Sequence, residues 1–139
     1  MKGKEALERL LEGNRRYLAG ACEGEERHAE KREETACGQD PFAIVLGCSD
    51  SRVPPEIIFD SGIGELFVIR VAGEVAGDQV IGSIEYAAAH LHTPLLLVLG
   101  HTNCGAVTAA VSGADEEGHI GAVLCELCDA VEASKNSCT

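Results

Sequence analysis

Three short apolar runs set the rhythm of this chain: Phe42-Ala43-Ile44-Val45-Leu46-Gly47, Leu66-Phe67-Val68-Ile69-Arg70-Val71 and Leu95-Leu96-Leu97-Val98-Leu99-Gly100. Each is strand-length and almost free of polar residues, the pattern of a strand buried on both faces of a parallel sheet. Around them the apolar positions fall at helical spacing instead. Residues 4–18 set Ala6, Leu7, Leu10, Leu11, Tyr17 and Leu18 against Glu8, Arg9, Glu12, Arg15 and Arg16. They predict an amphipathic helix that ends near Gly20 and packs across the domain or onto a partner subunit. Residues 78–91 predict a helix with Val80, Ile81, Ile84, Ala87, Ala88 and Leu91 on its core face. Between the first two strands, Val53-Pro54-Pro55 suits a helix start, and Gly62 and Gly64 end the segment. Two more helices are expected, over residues 106–111 up to Ser112-Gly113 and roughly over 118–134. Strand alternating with helix gives right-handed βαβ units, so the fold class is α/β, a parallel β-sheet core flanked by helices. The chain reads as a single domain over residues 1–139, with an N-terminal helical arm over residues 1–38. Within that arm residues 23–36 carry both charge signs and few apolar groups, predicting a solvated helix or mobile arm with His28 exposed.

Composition narrows the function classes. A net charge of −12 offers no basic stripe to neutralise phosphates, which argues against a nucleic-acid partner. No apolar run reaches the roughly 18 residues of a membrane span. Seven cysteines is an odd count, and Met1-Lys2-Gly3-Lys4-Glu5 leads into a charged helix and not an apolar signal core. Both point to free thiols in a reducing cytoplasm.

The chemistry lies just beyond two of the strands. The first delivers Cys48-Ser49-Asp50-Ser51-Arg52, and the third delivers His101-Thr102-Asn103-Cys104-Gly105. Ligands of open α/β sheets bind outside the carboxyl ends of the strands. His101 and Cys104 are three apart, so on a first helical turn they share a face. With Cys48 they form a set of two thiols and one imidazole that suits zinc and leaves a fourth position open. Asp50 is near enough to hydrogen-bond a water there or to be the fourth ligand itself, and Arg52 can fix its carboxylate by a bidentate pair. Other candidates carry less. His90 and His92 sit at a helix C-terminus, where the dipole favours an imidazole. Cys125 and Cys128 have no second pair nearby and read as small apolar residues of the last helix.

At these positions the chain resembles the β-class carbonic anhydrases, whose motif pair CxDxR and HxxC is met by Cys48, Asp50, Arg52, His101 and Cys104. The likeness runs from the N-terminal helix to about residue 134 and includes Ser83-Ile84-Glu85-Tyr86. It implies a zinc enzyme that reversibly hydrates carbon dioxide to bicarbonate, assembled as a homodimer or larger oligomer. It also implies substrate-binding roles for Gln39, Phe67, Tyr86 and Gly105, with Gln39 on a substrate oxygen and the aromatic residues lining a pocket across the dimer. Two departures bear on function. The family usually has Asn where this chain has Glu74, whose negative charge would weaken bicarbonate binding. Its members also usually continue into a fourth parallel strand and an antiparallel edge strand, so a C-terminally short form is expected, with one flank of the strand at 95–100 bare. The alternatives are a CS2 or COS hydrolase of the same fold and a noncatalytic zinc-binding or bicarbonate-sensing subunit.

Overall fold

A computed structural model describes residues 1–24 and 28–137; residues 25–27 of the charged arm and the side chain of His28 lie outside the described residues. The expected parallel sheet is present. Its strands are β1 (Ala43–Gly47), β2 (Leu66–Arg70) and β3 (Leu96–Leu99), in the order β2-β1-β3. Ile44 stands between Phe67 and Leu96, and Gly47 between Arg70 and Leu99. Every residue of β1 is buried, as an unbroken apolar run in a central strand requires.

The helices are α1 (Gly3–Leu18), α2 (His28–Glu34), α3 (Pro55–Ile58), α4 (Asp78–Ala89), α5 (Gly105–Ser112) and α6 (Gly118–Ser137). A 3₁₀ turn, Ala72–Glu74, follows β2. The Glu5 carboxylate accepts from the Lys2 backbone N–H and caps the start of α1. At the other end Gly20, at φ 67°, turns the chain away.

One face of the sheet buries the main core. There Ala43, Val45 and Phe42 meet Ala6 and Leu10 of α1 and Phe59 beyond α3, with Leu95, Leu97 and Leu99 packed around them. Close fit holds α1 in place: a Cβ on Gly13 would collide with the Phe59 carbonyl oxygen. Asn14 donates to the Ile58 carbonyl at 3.1 Å, Arg9 pairs with Glu65 at 2.5 Å, and the Arg9 guanidinium lies 4.0 Å above the Phe42 ring. Deeper still, the side chain of Asp60 is almost wholly buried. It accepts from Arg16 and from the backbone N–H groups of Glu23 and Gly24.

Three sequence expectations need correction. Only Ala6 and Leu10 of the expected α1 stripe are buried, while Leu7, Leu11, Tyr17 and Leu18 stay exposed, because a three-stranded sheet gives the helix a narrow seat. On α4, Ala87 is buried, but Ile81 and Ala88 are exposed. That helix lies over β2, where Phe67 meets Tyr86, and leaves Leu96 and Val98 of β3 open on the same face. Cys125 and Cys128, expected to pack as small apolar residues, are also exposed.

Candidate metal centre

The loops after β1, β2 and β3 leave the sheet at the same end. β1 ends at Gly47, paired with Leu99 at the end of β3, so Cys48 and, one residue further on, His101 leave adjacent strands at the same edge. A tight turn at Asn103, φ 56°, then brings Cys104 back at the N-cap position just before α5. The sulfur atoms of Cys48 and Cys104 lie 4.0 Å apart, and a ring nitrogen of His101 completes a set whose donor atoms all fall within 4.8 Å of one another.

These donors suit a tetrahedral ion. Two sulfurs at about 2.3 Å from one zinc would be separated by about 3.8 Å, close to the spacing found. The imidazole is set the same way: His101 Nδ1 faces the Thr102 carbonyl at 2.9 Å, which fixes the proton there and leaves Nε2 as the lone-pair donor. Nε2 is buried and has no hydrogen-bond partner among the described residues. A cation is the partner that this arrangement lacks. No other group of this kind occurs among the described residues, Cys125 and Cys128 included.

Electrostatics agree with the donor role of Cys48. Burial pushes the Cys48 thiol up, but backbone N–H groups of Gly73 and Asp50, together with His101 and Cys104, bring it below the ordinary thiol value. His101 is raised by its contact with Cys48, against burial and with help from the Thr102 carbonyl. Asp50 is held far below the usual carboxylate range, chiefly by Arg52, whose Nε and Nη2 donate to its two oxygens at 2.8 and 2.6 Å. The bidentate pair anticipated from the sequence is therefore formed, and the nearer Asp50 oxygen lies 4.0 Å from His101 Nε2. Arg52 also donates to the Asn103 carbonyl at 3.1 Å, joining the loop after β1 to the loop after β3.

Arg70 escaped the sequence reading. From the last position of β2 it donates to the carbonyls of Cys48 and Asp50 at 2.8 and 2.5 Å, so it clamps the backbone on either side of Ser49. A lone cation ending an otherwise apolar strand, at the carboxyl edge of the sheet, was the available signal.

The family model for carbonic anhydrase matches residues 43–139. The chain belongs to the β-carbonic anhydrase family. Carbonic anhydrase 2 of Mycobacterium tuberculosis is 48% identical over 111 residues, covering 80% of this chain and 54% of that protein. Among solved structures, a tetrameric β-carbonic anhydrase of Sordaria macrospora superposes with a TM-score of 0.71 at 28% identity, covering 82% of this chain and 60% of the other. The β-carbonic anhydrase CafA of Aspergillus fumigatus gives 0.70 at 32% identity, covering 91% and 61%. The chain thus spans little more than half the length of these relatives.

The residues that the β-carbonic anhydrase resemblance assigned to substrate are not all gathered in one chain. Gly105 begins α5 directly beside Cys104. Gln39 precedes β1, whereas Cys48 follows it, and a five-residue strand puts about 16 Å between its ends. Gln39 lies instead with Arg9, Lys31, Thr35 and Glu65 in a cleft at the amino end of the sheet. Phe67 and Tyr86 do meet, with ring centroids 6.1 Å apart, and Tyr86 also contacts His90 at 5.5 Å. Phe67, paired with Ile44, sits well back along the strand from the donors.

Proposed function

We propose that this chain carries the catalytic centre of a zinc-dependent carbonic anhydrase, interconverting carbon dioxide with bicarbonate and a proton. The observation that carries this reading is the preset donor set of Cys48, His101 and Cys104 beside a carboxylate locked by arginine. A zinc ion held by these three residues would supply the Lewis acidity that makes a water nucleophilic near neutral pH.

The chain's own residues supply the rest. Asp50, ionised and with both oxygens engaged by Arg52, can only accept a hydrogen bond, so it orients a water through its O–H toward the open position. Holding that water in one direction removes an entropic part of the barrier. Arg52 and Arg70 keep the two loops fixed, so the acceptor does not drift as the charge of the substrate changes. The Gln39 amide, the Phe67 ring and the Tyr86 ring belong to the substrate pocket in this reading. Since Gln39 stands at the wrong end of its own sheet, a second copy of the chain supplies it. The active unit is then a homodimer or a larger homo-oligomer, working in the cytoplasm on a dissolved gas.

Zinc analysis with stopped-flow carbon dioxide hydration on the purified protein tests the proposal. One zinc per chain with turnover well above the buffer rate is expected. Full zinc occupancy with hydration at the buffer rate would reject the assignment, and turnover of COS or CS2 in the same preparation would move it to the hydrolase reading.

A further inference from the structure

The last helix carries a pair of thiols that the donor set does not use. Cys125 and Cys128 stand three residues apart in α6, on one face of the helix, and both are free and exposed. Cysteine is among the residues most often buried, so two of them on one exposed stripe need a reason. The helix packs through Leu124, which is buried, and Leu127, which lies against Gly73, and leaves the thiols to solvent. The Cys128 S–H donates to the Leu124 carbonyl at 3.3 Å, so its sulfur leans back along the helix toward the turn that carries Cys125. Helical geometry then decides what the pair suits. Cβ atoms three apart on a helix stand about 5 to 6 Å from each other, whereas a disulfide needs about 3.5 to 4.5 Å, so the intact helix holds the thiols too wide to join directly. One ion about 2.3 Å from each sulfur spans that gap without moving the backbone.

We propose that Cys125 and Cys128 form a second metal site, separate from Cys48, His101 and Cys104, that takes one soft monovalent cation of the copper(I) class between its two sulfurs. Coordination number selects the ion. Among the described residues these thiols belong to no cluster of three or more donors, so a tetrahedral zinc site is not built here. Thiolates select soft ions, and copper(I) is satisfied by two of them. Asp129, one turn beyond Cys125, and the net charge of −12 add attraction for a cation. Binding forms two sulfur–metal bonds, releases both thiol protons to water and leaves the oxidation state of the ion unchanged.

The test uses the full, reduced chain supplied with zinc, and silver(I), buffered by excess methionine, as a redox-stable probe of the same charge and softness. Alkylation mapped by peptide mass reads each cysteine separately, so the result for α6 stands whether or not the donor set holds zinc. Exposed Cys37 serves as the lone-thiol reference. Cys125 and Cys128 should become protected together, at a free silver concentration about a hundredfold below that protecting Cys37. In Cys125→Ser the protection of Cys128 should weaken by about a hundredfold, to the level of Cys37, and Cys128→Ser should do the same to Cys125. Cys128→Ser combined with Ala130→Cys keeps two thiols on the helix but turns them apart, and should protect no better than a lone thiol. Separate midpoints for Cys125 and Cys128, or midpoints no lower than that of Cys37, would overturn the proposal. So would full protection of either thiol after loss of the other. Spontaneous closure of the pair to a disulfide in air, seen as a loss of mass, would also overturn it, by showing that the sulfurs join directly.

Discussion

In the proposed site Asp50 is the water-facing acceptor and Arg52 its brace. Asp50→Asn keeps the shape but adds a donor where an acceptor is needed, so zinc should stay bound while carbon dioxide hydration falls by about a hundredfold, read by stopped flow with metal analysis on the same sample. Retained turnover would make the pair structural. Cys48→Ser should instead cost stoichiometric zinc. A different carboxylate governs behaviour in acid. Burial pushes Asp60 up, but Arg16 and the N–H groups of Gly24 and Glu23 pull it further down, so the folded state holds its proton more weakly than the unfolded chain does. That stability is complete above about pH 4 to 5 and fades as pH falls through the depressed value. Asp60→Asn should lower the urea midpoint at pH 7 and flatten its acid dependence; an unchanged acid limb would refute the assignment. The donor set was legible in the sequence because Cys48, His101 and Cys104 each follow a strand end within a few residues. Arg70 and Asp60 were not, since they act through backbone groups and partners far away in sequence, which spacing does not reveal.

Among the elements, α1 and α4 each contain one interior glycine, and the structure gives the two opposite signs. Gly82, exposed within α4, has open space where a Cβ would stand, so Gly82→Ala should stabilise by about 1 kcal/mol through helix propensity. Gly13 faces the Phe59 carbonyl, so Gly13→Ala should destabilise by about 2 kcal/mol or more by forcing α1 off the core. Thermal or urea unfolding of the two variants side by side checks the pair; equal shifts would show that α1 is not seated as described. The strands were readable because their apolar runs are nearly continuous, but which one is central was not: β3, all Leu and Val, lies at an edge, and β1 lies in the middle. The helix faces were not. Periodicity marks the apolar side of α1 and α4, but how much of that side is covered depends on the width of the sheet beneath.

At the scale of the whole molecule, exposed Leu7, Leu11 and Leu18 on α1 and Leu96 and Val98 on β3 leave apolar surface that a second copy can cover. Mixing inactive chains tests whether that copy also completes the site. Cys48→Ser and Gln39→Ala chains, each impaired alone, should regain activity when refolded together, since one site in a mixed dimer then has both intact residues. No recovery in proven mixed dimers would place Gln39 outside the reaction. The donors themselves lie far apart in the chain, with Cys48 after the central strand and His101 after an edge strand about fifty residues later. An ion joining them works as a cross-link as well as a reagent, closing a long loop and pinning the free end of β3 to the middle of the sheet. Chelation should therefore lower the melting temperature and speed amide exchange at Leu96 to Leu99 ahead of Ala43 to Gly47, so that loss of metal is felt first as loosening of an edge.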